Sequence, residues 1–257
     1  MDEFLTLQVR NDIVQHMNEN PAHEVCGVIE KKGRGFVYVR RENVHPDKGD
    51  HIAFDAETSA RIFSQKSNVV AYVHTHPQGP NYPSVLDQKQ QIEIGKPAVI
   101  ASRDHSTGAL EVFSFGDHLL DAPLMGRVFK HYVMDCYEAL RSWVWQNEQF
   151  KLDSFPRDDR WWNEETKNAD LYEKNFASQG YREYTPDFGN PLSNRHPRAG
   201  DVILMQLDAR VINHAAVYIG DNQIYHHRMN KKSGTSAVGY LIDNHYVRKW
   251  LRRGPVS

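Results

Sequence analysis

Apolar positions near the start of the chain recur at helical rather than alternating spacing: Leu7, Val9, Ile13, Val14 and Met17 predict a helix over 7–17. The pattern then changes character. Gly27-Val-Ile-Glu and Gly35-Phe-Val-Tyr-Val are short β-branched and aromatic runs about a Lys-Lys-Gly-Arg turn, which predicts a hairpin. Residues 56–63 return to helical spacing, the unbroken apolar run 69–73 leading into His74 predicts a buried strand, and 84–94 predicts another helix. Two further strands, 98–101 and 110–115, complete a mixed α/β unit that closes near Gly116.

Residues 117–127 hold Asp, Pro and Gly with little periodicity, and are read as a domain boundary. Beyond them the pattern predicts a helix over 135–146, then a long polar segment anchored by Trp161, Trp162 and Tyr172, then three strands at 202–206, 214–219 and 223–227. The expected organisation is α+β in two domains, 1–117 and 124–257. A chain of 257 residues suits this, since compact domains usually hold roughly 100–150 residues.

Hydrophobic residues make up 40% and charged residues 25% of the chain, which is globular composition. The net charge of −2 gives no electrostatic reason to expect nucleic acid or an anionic membrane as partner. No apolar run exceeds the five residues of 69–73 or 215–219, against the roughly 20 that a spanning helix needs, so no membrane span is expected. The start, Met1-Asp2-Glu3-Phe4, lacks the pattern of a secretory signal, and synthesis in the cytoplasm is expected. The two cysteines, Cys26 and Cys136, fall in different predicted domains, which argues against a disulfide.

Candidate chemistry enters first at His74-Thr75-His76-Pro77. Strand periodicity puts both imidazoles on one face, close enough to share a metal ion. Ser84 and Asp87 follow. A catalytic zinc site takes three protein ligands and keeps a position for water, and His74, His76 and Asp87 meet that need with Glu24 as candidate base. Ser84-Val-Leu-Asp87 is equally a helix capping box, which accounts for both residues without a metal. Taken jointly, Glu24-x-x-Gly27, His74-x-His76-Pro77 and Ser84-x-x-Asp87 resemble the JAMM metallopeptidase family. The resemblance implies zinc held by His74, His76 and Asp87, water activated by Glu24, an intermediate stabilised by Ser84, and hydrolysis of an amide or isopeptide bond. Cys26 reads as a small buried strand residue rather than a ligand.

Cys136 opens the predicted helix of the second half. A helix N-terminus favours a thiolate, the setting of a nucleophile, although a single cysteine there is also an ordinary buried residue. His214 opens a strand that turns at Gly220-Asp221-Asn222. A turn about residue 220 sets His226 directly across from His214, able to orient its ring, and one residue more or less in the loop substitutes His227. Asp135-Cys136 before a helix, Gly200-Asp201-Val-Ile-Leu at a strand start, and His214-Ala-Ala-Val-Tyr-Ile-Gly followed by His226 resemble the NlpC family of papain-like cell-wall peptidases. That implies a papain-like α+β domain that cleaves stem peptides of peptidoglycan. Cys136 would be the nucleophile, His214 the base and His226 the orienting residue, with backbone N–H groups at the helix start as oxyanion hole. Familiar members have Asp-Cys-Ser-Gly where this chain has Asp-Cys-Tyr-Glu, which sets a bulky side chain beside the nucleophile. Trp161 and Trp162 either line the pocket or anchor the connecting segment.

The order of the two modules, the Trp161-Trp162 pair, Tyr172-Glu-Lys-Asn-Phe and Gly-Asp-Val-Ile-Leu-Met-Gln together resemble phage tail-tip proteins. The resemblance implies other phage tail tip proteins and peptidoglycan stem peptides as partners. It also implies a place in the virion tail, assembled in the host cytoplasm and acting at the host cell wall. Two competing expectations are a tail scaffold with weak or no catalysis, and a cellular enzyme that removes a ubiquitin-like tag.

Overall fold

The computed structural model describes residues 2–104, 107–163 and 169–254. The chain divides into two compact units, Met1–Leu119 and Leu120–Ser257. Residue 1 and residues 255–257 of the expected domains lie outside the described residues.

In the first unit, helix α1 (Leu7–Asn18) begins where Thr6 Oγ1 accepts the Val9 N–H at 3.3 Å. It buries Val9, Ile13 and Met17, successive members of one stripe, each contributing about 1.5–3 kcal/mol of transfer free energy. Leu7, two residues before Val9, falls on the far side and is exposed. Strands β1 (Cys26–Lys32), β2 (Gly35–Arg41), β3 (Val69–His76), β4 (Ala98–Arg103) and β5 (Leu110–Phe115) form one sheet in the order β2-β1-β3-β4-β5, and α2 (Ala56–Phe63) precedes β3. Only β3 and β4 run parallel, because α3 (Val85–Ile94) makes the crossover between them.

Helix α1 covers the sheet face that carries Ile29, Ala71, Val73, Val99 and Ala101. Alternation along β3 then sends Tyr72, His74 and His76 to the opposite face. Gly27 belongs to the packing rather than the chemistry: a Cβ there would stand 2.4 Å from the Tyr38 ring.

The second unit holds a six-stranded antiparallel sheet. Its strands are β6 (Tyr181–Tyr184), β7 (Val202–Met205), β8 (His214–Gly220), β9 (Gln223–His226), β10 (Gly234–Ala237) and β11 (Val247–Arg253), in the order β10-β9-β8-β7-β11-β6. Helix α4 (Cys136–Glu148) packs on β8 and β9. Its Tyr137, Leu140 and Val144 join Val202, Leu204, Ala215, Val217 and Tyr225 in one core, to which α5 (Leu171–Ser178) adds Tyr172 and Phe176. A second core, Ile203, Met205, Ala216, Tyr218 and Ile224, includes Val238 and Leu241 of α6 (Val238–Asp243).

Three of these strands lie outside the runs predicted from the pattern. β6 and β10 are the sheet edges, where polar sequences such as Tyr-Arg-Glu-Tyr and Gly-Thr-Ser-Ala are tolerated. β11 carries Arg252 inside because Asp201 neutralises it, with Nε to Oδ1 and Nη2 to Oδ2 both at 2.7 Å. Asp201 also accepts the Tyr184 hydroxyl at 2.6 Å and the Arg198 N–H at 2.7 Å. Gly200 before it has φ +97°, and a Cβ would meet the Glu148 carboxylate at 1.9 Å. The Gly200-Asp201 pair is thus a clasp between strands. Among the described residues no helix is long and apolar enough to cross a membrane.

Candidate metal centre and candidate thiol site

His74 and His76 end β3, and the loop after it delivers the start of α3 to the same place. His74 Nε2 lies 3.1 Å from His76 Nε2 and 3.1 Å from Asp87 Oδ1. His76 Nε2 is 3.5 Å from Asp87 Oδ2 and 3.8 Å from Glu24 Oε1. Ligand atoms about 2.0–2.1 Å from one tetrahedral zinc are separated by about 3.3 Å, so these three side chains fit a single shared ion. His76 Nδ1 meets the Pro80 carbonyl at 2.9 Å and donates to it, which leaves the Nε2 lone pair facing the cluster. Glu24 reaches the same face because it precedes Cys26, whose register partner is His74, by one strand repeat.

Asp87 does two jobs. The capping box forms: Asp87 Oδ2 accepts the Ser84 N–H at 2.7 Å and Ser84 Oγ accepts the Asp87 N–H at 3.2 Å. The other carboxylate oxygen faces His74, so the capping and ligand readings are compatible. Burial pushes Asp87 up, but His74 and His76 more than offset it and hold the carboxyl well below the usual range. Burial raises Glu24, against the pull of the same two histidines. Cys26 stays outside the cluster, its Sγ turned to the carbonyls of Arg41 and Glu42, with burial pushing the thiol to about 12.

In the second unit Cys136 is the first residue of α4, and Asp135 caps the helix by accepting the N–H groups of Tyr137 and Glu138 at 3.1 and 3.0 Å. Arg157 holds Asp135 through both carboxylate oxygens at 2.7–3.0 Å, and its guanidinium lies over the Tyr132 ring at 4.7 Å. Cys136 and His214 line one cavity of about 510 Å³ together with Tyr172, Trp161 and Trp162. Trp161 is buried against Tyr172 as well, so it both anchors the segment and lines the cavity. Tyr137 does neither: it is fully buried in the core with its hydroxyl donating to Asp153 O at 2.7 Å, and so does not crowd the thiol.

His214 Nε2 lies 3.1 Å from His226 Nδ1, and His226 Nε2 lies 3.0 Å from Ser236 Oγ on β10. His227 points elsewhere, to Lys231 O at 3.1 Å. The pairing of His214 with His226 differs from the expected direct opposition. Val217 faces Tyr225 in the ladder, which places His226 level with Ala216, and the rings meet on the diagonal across that small residue. The cause is the turn, which centres on Asp221 and Asn222 rather than on residue 220, and the register shift between Tyr218 and Gly220 then returns His226 to the face of His214.

The helix N-terminus favours a thiolate, yet burial and then the Asp135 charge push Cys136 up to about 11, against weaker help from the Tyr172 hydroxyl and the Ala215 N–H. Burial lowers His214 strongly and takes His226 to about 4. Both partners are therefore uncharged. Tyr172, whose hydroxyl is 3.2 Å from Cys136 Sγ, and Arg157 and Ser236 had no sequence signal beyond the aromatic anchoring of Tyr172.

Comparison with known proteins follows this division. A family model of prokaryotic homologs of the JAB domain matches residues 6–115, and the NlpC/P60 family model matches residues 110–253. Fold and site thus define a two-domain α+β protein with a JAB-like unit ahead of an NlpC/P60 unit. The chain is 31% identical over 188 residues to tail tip assembly protein K of Escherichia phage lambda, covering 73% of this chain and 80% of that one. It is 29% identical over 215 residues to tail tip assembly protein K of Escherichia phage N15, covering 84% and 82%. The chain belongs to the NlpC/P60 family and, within it, to the family of tail tip assembly protein K. Solved NlpC/P60 structures from Staphylococcus aureus (15% identity, 54% of this chain and 42% of that one, TM-score 0.31) and Bacillus cereus (11%, 94% and 67%, TM-score 0.32) superpose too loosely to add to this.

Proposed function

We propose that this chain is a phage tail-tip protein with two hydrolytic centres, a cysteine peptidase that cuts peptidoglycan stem peptides and a zinc-dependent (iso)peptidase. Its place would be the virion tail, with other tail-tip proteins as partners and the host cell wall as its site of action. The observation that carries the reading is one cavity lined by both a helix-start thiol and the first ring of a two-histidine relay ending on Ser236.

The relay fixes the proton positions. For His214 Nδ1 to accept the thiol proton, Nε2 must carry hydrogen and donate to His226 Nδ1, and His226 Nε2–H then donates to Ser236 Oγ. Cys136 transfers its proton to His214 as sulfur attacks the scissile carbonyl. The backbone N–H of Cys136 receives the developing oxyanion, and the Tyr172 hydroxyl stands within reach of the same centre. His214 returns the proton to the leaving amine, and water, deprotonated by His214, releases the acyl group from sulfur.

His74, His76 and Asp87 would hold zinc. Zinc there would polarise a carbonyl and lower the pKa of water to about 7. Glu24, raised by burial, is suited to take and return a proton, and Ser84, whose Oγ accepts from the Asp87 N–H, keeps its own hydrogen to donate to a developing oxyanion.

Purified Gram-negative peptidoglycan digested by wild type, Cys136→Ala and His74→Ala, with released muropeptides read by mass spectrometry, tests the reading. Stem-peptide fragments are expected from wild type and His74→Ala and not from Cys136→Ala. Fragments that persist in Cys136→Ala would refute the thiol centre.

A further inference from the structure

The cavity beside Cys136 has a charge pattern that hydrolysis alone does not need. Asp135 and Arg157 in its wall neutralise each other. At its rim, Arg228 carries a guanidinium with no hydrogen-bond or ion-pair partner among the described residues, and Lys231 and Arg160 also line the cavity. Asp208 is the opposing charge there, and Arg160 has Asp159 at 4.0 Å. Among the described residues the rim is cationic on balance.

The backbone at Arg228 is held in place. This residue follows the strand that ends in His226, and the turn after it is closed by Lys231 N–H to Arg228 O at 3.2 Å and by His227 Nε2 to Lys231 O at 3.1 Å. Its charge is felt at both relay histidines, where it adds to burial in disfavouring their protonation. Arg228 is thus an exposed cation on a pinned turn, lining the same cavity as Cys136 and His214.

We propose that Arg228 is a specificity-determining residue that anchors a carboxylate of the peptide substrate and so fixes which bond lies over Cys136. This rests on the peptidase reading of the same cavity and names the substrate feature it selects. The planar fork of arginine suits a carboxylate in two-point contact, which a lysine does not reproduce. A bound carboxylate also offsets the charge beside His214, so the base strengthens when the correct peptide arrives.

The test uses the full chain with Cys136→Ala, so that binding is read without turnover. A peptidoglycan stem peptide with free carboxylates and the same peptide with them amidated are titrated by calorimetry. The acid form is expected to bind about tenfold more tightly, and Arg228→Gln added to Cys136→Ala removes the difference while Arg228→Lys restores part of it. Equal binding of the two peptides, or a preference that survives Arg228→Gln, overturns the anchor. Cleavage by the Cys136-containing protein is scored separately: a preference in binding without any cleavage refutes the peptidase reading and leaves the anchor standing.

Discussion

At Cys136 two effects of opposite sign meet. The helix start pulls the thiol pKa down, but removal from water and the Asp135 charge push it to about 11, and burial keeps His214 unprotonated. The resting pair is thiol and neutral imidazole, with charge appearing only as the proton moves. Iodoacetamide labelling of Cys136, followed by peptide mapping to separate it from Cys26, should therefore still accelerate between pH 8 and 10. A rate already flat from pH 6 to 8 would mean a preformed ion pair. Sequence spacing was enough to bring His74 and His76 together, because a strand repeat fixes side-chain direction locally. It could not reach Tyr172 or Arg157, which lie 36 residues from Cys136 and 22 from Asp135 and arrive only through tertiary packing.

The β8–β9 hairpin turns local geometry into a pH response. His226 is held at about 4 and His214 is lowered too, whereas an unfolded histidine titrates near 6.5. With the folded value depressed, the unfolded chain takes up protons first. Stability is then complete above about pH 6.5 and lost as pH falls from 6.5 toward 4, with His226 alone accounting for roughly 2 kcal/mol by pH 5. Urea titrations of the second unit's unfolding should show a lower midpoint at pH 5.0 than at pH 7.5, and His226→Gln should shrink the gap. An unchanged midpoint would contradict the buried neutral pair.

The Asp201–Arg252 clasp belongs to the same scale. Asp201→Ala leaves Arg252 without its carboxylate and should cost about 3–5 kcal/mol, measured as a fall in the urea midpoint. A change under 1 kcal/mol would show that the clasp is dispensable. The long apolar or alternating runs of β3, β7, β8 and β9 announced their strands. β6, β10 and β11 did not, since their polar residues are satisfied by edge positions and by the clasp, which only the assembled sheet supplies.

For the whole molecule, the loss of periodicity after Gly116 signalled two units, and short motifs singled out the candidate residues of each, because a ligand set or a relay would depend on few residues at fixed spacing. The cationic rim was illegible, since Arg160, Asp208, Arg228 and Lys231 come from three separate segments. Purified protein should hold one zinc per chain by elemental analysis, lost in His74→Ala and Asp87→Ala. Chelation should leave muropeptide release unchanged. Equal metal content in wild type and both variants would refute the assigned ligands.

The most direct test of the central claim is to catch the acyl group on sulfur. Full-length protein mixed with stem peptide is quenched in acid within a turnover, and its intact mass and peptide map are measured. An added acyl mass is expected on the peptide that contains Cys136, absent from His214→Ala. Product formed with no adduct on Cys136, or an adduct located elsewhere, would contradict it.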